Sequence, residues 1–107
     1  MQNLKPIGFY SKSKSENYGY LKVNNFYKII KPFTDNDNNL HVVGEKWQYL
    51  GYSFLPYDEG LQWIVSFDGK HEMMIPLWLL LEEQRYIANN IEQFIQLIPT
   101  IEHITSN

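Results

Sequence analysis

The chain has no cysteine. That single absence excludes disulfide staples, zinc–thiolate sites and thiol nucleophiles. Long apolar runs are missing too. The stretch Met73–Leu81 is nine residues, about half of what a membrane-spanning helix requires. The opening MQNLKPIGFYSKSKSENYGY lacks the apolar core of a signal peptide. The expectation is a cytoplasmic protein without membrane contact. Nor is there a basic excess, since the formal net charge is −3 and the pI is near 5.5. Lys12, Lys14, Lys22, Lys28 and Lys31 are scattered through the N-terminal third. A sequence-independent nucleic-acid binder draws its affinity from neutralised phosphates, so nucleic acid is not an expected partner. No serine sits in a G-x-S-x-G elbow and no glycine loop is built to cradle phosphate. No catalytic residue and no cofactor is assigned. The expectation is a protein that is not an enzyme.

Aromatic residues are plentiful: three Trp, eight Tyr and six Phe in 107 residues. Each removes roughly 150–250 Å² from water when buried, so the chain is globular with an aromatic core. Its length suits one domain over residues 1–107. Residues 11–17, SKSKSEN, are polar and aperiodic. Ile7, Phe9, Tyr10, Tyr18 and Tyr20 beside them suggest that the segment 1–20 packs on the domain.

From about residue 26 to 79 the texture is β. Phe26–Phe33 (FYKIIKPF) reads as a strand, and DNDNN at 35–39 reads as a turn. The aromatic positions shift phase at Gly51, which predicts a β-bulge or bend. Leu61, Trp63, Val65 and Phe67 alternate onto one face, and Asp68-Gly69 follows as a hairpin signal. A two-residue loop there pairs Trp63 with Met74 and Ile64 with Met73. Further on, Ile87, Ile91, Phe94, Ile95 and Ile98 fall at helical spacing. Glu82 and Glu83 complement the helix start, and Pro99 closes the segment. The prediction is one amphipathic helix over about 81–97, its Ile/Phe stripe in the core. The fold class expected is mainly β (α+β): a small SH3-like antiparallel barrel, or a roll, with this C-terminal helix across it.

The segment HVVGEKWQYLGYSFLPYDEGL, from His41 to Leu61, carries a resemblance. With Phe33, Asp35 and Asp37 upstream, and Asp68-Gly69 and Glu82-Glu83-Gln84 downstream, it resembles a family of small bacterial domains of unknown function. The similarity spans roughly residues 20–97. Two local departures are DNDN, where DxDG is expected at the turn, and Leu81, where a helix-starting Pro is typical. The resemblance implies no particular activity or ligand.

Asp35, Asp37 and Asn39 begin like a calcium loop, but Leu40 and Lys46 stand where Gly and a bidentate Glu are needed. His41, His71 and His103 have no neighbouring ligand pattern, and His41 and His71 read as surface or rim residues. No metal is assigned. Asp58 and Glu59 sit on a turn after Pro56, beside Tyr57, and Glu45 precedes the aromatic strand. Acid-edged aromatic surfaces suit peptide recognition. The functional expectation is therefore a non-catalytic protein- or peptide-binding module whose surface uses Tyr57, Asp58, Glu59 and Glu45. A basic protein or peptide is the expected partner, and an immunity-protein-like role fits the size and charge. The alternative is a small-ligand-binding protein or an enzyme of unrecognised class. Nothing in the sequence indicates an oligomeric state.

Overall fold

Alternating burial organises the chain into antiparallel strands. The structure, a computed structural model, describes residues 5–6 and 16–99. Its strands are β1 (Lys5–Pro6), β2 (Phe26–Ile29), β3 (Phe33–Thr34), β4 (Leu40–His41), β5 (Lys46–Leu55), β6 (Gly60–Ser66), β7 (His71–Trp78) and β8 (Ile95–Ile98). Helix α1 (Glu82–Asn89) and a 3-10 turn over Ile91–Gln93 precede β8. One six-stranded sheet has the order β1-β7-β6-β5-β2-β8, and β3 pairs with β4 in a separate hairpin.

The class is mainly β with α+β character, as expected. The barrel is corrected: the sheet does not close. Closure requires its two edges to pair, yet among the described residues β1 bonds only to β7 and β8 only to β2. The architecture is an open, bent sheet. Its bend comes from the predicted place, a register shift in the β5–β6 ladder between Tyr49 and Gly51.

On the inner face Trp47, Tyr49, Leu61, Trp63, Val65, Ile75 and Leu77 are buried together. Ile87, Ala88, Ile91, Phe94 and Ile95 close over them. Buried hydroxyls are partnered rather than wasted. Tyr27 donates to Tyr20 O at 3.1 Å and accepts from Lys22 N at 2.7 Å. Tyr49, whose phenol burial pushes far above the ordinary tyrosine value, donates to Glu16 O at 2.8 Å. Tyr18 sets its ring edge against Tyr52 and Trp63, so the segment from Glu16 to Val23 rests on the sheet. Ile7, Phe9 and Tyr10 lie outside the described residues, as does His103.

Two local expectations need correction. The helix ends at Asn89 instead of running to 97. Asn90 takes φ −137° and ψ 46°, outside the helical well, and its side-chain amide donates to Tyr86 O. Beyond it Ile95–Ile98 finds a strand partner in β2, in register Ile29↔Ile95 to Phe26↔Ile98. The β6–β7 register also differs by one: Trp63 pairs with Ile75 and Ile64 with Met74. The cause is Asp68. Its carboxylate accepts from Lys70 N at 2.8 Å and His71 N at 2.9 Å, and Gly69 follows at φ +77°. Those bonds gather an extra residue into the loop. His71 Nδ1 approaches the same carboxylate at 2.8 Å. This contact and the two amides hold the Asp68 carboxyl well below the usual range.

Candidate functional site

Two constellations stand out, one buried and one exposed. The buried one begins with the β3–β4 hairpin. Asp35 turns one oxygen to its own loop, where Oδ1 accepts from Asp37 N at 2.8 Å and Asn39 N at 3.1 Å. Asn38 takes φ +66° in that loop, a conformation Asn tolerates. The DNDNN segment is thus a turn, and the Asp35 oxygens are engaged within the protein. The second oxygen, Oδ2, lies 2.8 Å from His41 Nε2. On the ring's far side His41 Nδ1 lies 2.7 Å from Glu45 Oε2, which also accepts from Trp47 Nε1 at 3.2 Å. The Phe33 ring stacks on the imidazole at 4.8 Å.

His41 is 2% exposed, so its reading as a surface or rim residue is overturned. Carboxylates only accept, so bonding both of them demands a proton on each ring nitrogen. Burial alone favours the neutral ring. The hydrogen bonds the ring donates to Asp35 and Glu45, with their charges, outweigh that and raise the value to about 9. Asp35, His41 and Glu45 are therefore an ion cluster with every ring nitrogen engaged. His41 retains no lone pair to offer a substrate. Glu45, expected on the binding surface, is turned inward instead, with its side chain 13% exposed. Among the described residues no group of three or more His, Cys, Asp and Glu is arranged to hold a metal ion.

The exposed constellation is a groove of about 580 Å³. The end of β5 contributes Leu55, the turn after it Tyr57 and Asp58, and β6 contributes Gly60, Leu61 and Gln62. From β7 come Met74, Pro76, Leu77 and Trp78, with Leu80 beyond it. Asn36 and Asp37 of the β3–β4 turn complete the wall. The turn is firmly held: Trp78 Nε1 donates to Asp58 O at 2.7 Å and Leu79 N to Glu59 O at 2.9 Å. Glu59 sits at φ +54°. Tyr57 projects fully into solvent at 100% exposure, with Leu55 and Leu80 about half exposed beside the groove. Two carboxylates, Asp37 and Asp58, line it, and among the described residues no Lys, Arg or His does. Of the sequence-predicted site residues, Tyr57 and Asp58 share this groove, Glu59 belongs to the same turn, and Glu45 stands apart in the ion cluster.

Trp78, Asp37 and the ion cluster were missed in the sequence. Asp37 comes from a turn some twenty residues upstream of Tyr57, and only the sheet order brings the two together. Asp35, His41, Glu45 and Trp47 did carry a signal, because all four belong to the motif behind the family resemblance. A second groove of about 760 Å³ lies on the other flank of the hairpin, between Phe33, Thr34 and Asp35 and the α1 residues Glu82, Tyr86 and Ile87. Lys31 Nζ hangs 5.1 Å above the Phe94 ring at its edge.

This sheet, motif and hairpin place the chain among small β-dominated α+β domains. It belongs to the family described as a domain of unknown function, DUF3601, whose model matches residues 9–99. Its fold is similar to that of an integron cassette protein from the mobile metagenome of Vibrio cholerae. The two share 29% identity and a TM-score of 0.74, over 79% of this chain and 93% of that one. No curated protein matches the chain. Among the described residues no helix is long and apolar enough to cross a membrane.

Proposed function

We propose that the protein is a non-catalytic binding module that holds a basic protein or peptide segment in the Tyr57–Trp78 groove. One observation carries this reading: a fully exposed tyrosine beside a groove whose charged lining, among the described residues, is acidic. A cation over an exposed aromatic ring gains about 0.5–1 kcal/mol. Asp37 and Asp58 add attraction of the same sign, and the net charge of −3 steers a basic partner toward the surface. Leu55 and Leu80 supply apolar contact at the rim. Binding and occluding a basic partner is the activity of an immunity-type protein, and this groove suits it. The setting we assign is the cytoplasm.

Selection from a displayed random-peptide library at low and at moderate salt tests the reading. Enrichment of Arg- or Lys-bearing sequences is expected, with binding weakened by salt and lost in Asp58→Lys/Glu59→Lys. Enrichment of acidic or uncharged sequences, or undiminished binding by the folded double variant, overturns it.

A further inference from the structure

The β3–β4 hairpin pairs only Phe33 with His41 and Thr34 with Leu40. So short a hairpin is marginal by itself and must be held by other contacts. One is Asn36 N to Pro76 O at 2.8 Å, which ties its tip to β7 beside the groove. Another is the core packing of Phe33, whose ring meets Phe94 edge-on. A third is the ion cluster at its base.

We infer that Asp35, His41 and Glu45 are positioning residues for the groove: the doubly protonated imidazole fixes the Asp35 carboxylate, which in turn fixes Asp37 in the groove wall. The inference rests on the groove reading above and assigns its control. Asp35 is the link, because one oxygen meets His41 Nε2 and the other accepts the amide of Asp37. Among the described residues, the charged groups facing the ring are Asp35 from the hairpin turn and Glu45 from the approach to β5. When the ring loses a proton, one nitrogen becomes an acceptor facing a carboxylate that can only accept. If the proton leaves Nε2 the bond to Asp35 breaks, and if it leaves Nδ1 the ring that still meets Asp35 has lost its charge; either way the acidic wall of the groove is held less tightly. Peptide binding therefore carries a step at alkaline pH that follows the His41 ring.

The test is a carbon-detected NMR titration of the whole chain from neutral pH to above pH 10. It follows the His41 ring carbons, the Asp37 carboxyl and the Pro76 carbonyl. In parallel, affinity is measured for an arginine-bearing peptide from the selection above, whose guanidinium keeps its charge throughout. All three carbon signals are expected to move with one midpoint, near 9, and the affinity to fall several-fold across it. Glu45→Gln removes one charge while keeping an acceptor, and it should carry the common midpoint to lower pH. In His41→Gln the affinity step should vanish. A His41 titration that leaves Asp37 and Pro76 still overturns the inference, as does an affinity step unmoved in Glu45→Gln. Should no peptide bind at any pH while the three carbons still move together, the groove reading fails. The hairpin-positioning role then stands.

Discussion

His41 builds a pH dependence into the fold. Its value rises from 6.5 to about 9 on folding, so the ion cluster contributes in full below pH 6.5. That contribution is lost as pH climbs through 9. A shift of this size corresponds to stability on the order of 3 kcal/mol. Urea midpoints are therefore expected to fall between pH 7 and pH 10 in the parent and to change far less in His41→Gln. A flat parent profile contradicts a charged ring. At Glu59 the backbone works the other way. Its φ of +54° is costly for a side-chain-bearing residue and free for glycine. Glu59→Gly should be neutral or stabilising by up to about 1 kcal/mol, read as a raised melting temperature. Asp58→Lys/Glu59→Lys should melt close to the parent, because Asp58 is exposed and Glu59 holds the turn through its backbone oxygen.

Among the elements, the stretch after α1 shows what a periodic pattern records. Ile87, Ile91, Phe94 and Ile95 all reach the core, as their spacing indicates, yet only Ile87 does so from the α-helix. The pattern marks burial. It does not mark the conformation that delivers it. Asn89 and Asn90 have weak helix propensity, and β-branched Ile95 and Ile98 had an open β2 edge to join. The Asp68-Gly69 hairpin and the bend at Gly51 were legible because each depends on local chemistry. The β6–β7 register was not, since it turned on one carboxylate capturing two amides. Phe94 is 6% exposed and sets its ring edge against Phe33 and Tyr86. Phe94→Ala should cost about 3–5 kcal/mol, measured by denaturant unfolding, and a parent-like midpoint would remove Phe94 from the core.

For the whole molecule, class and composition were readable from the sequence, and closure was not. Whether a bent sheet becomes a barrel depends on where its two edges end in space, and here β8 settles on β2 while β1 settles on β7. The groove was half legible for the same reason. Tyr57 and Asp58 are neighbours in sequence, whereas Trp78 and Asp37 arrive from β7 and from a distant turn. The account stands or falls on that meeting place. Amide shift mapping with an arginine-bearing peptide from the display selection tests it most directly. The account predicts that the perturbed amides form one patch over Leu55–Gly60, Leu77–Leu80 and Asn36–Asp37, which shrinks as salt is added. Perturbations confined to the opposite flank of the hairpin, around Lys31, Glu82 and Tyr86, would contradict it.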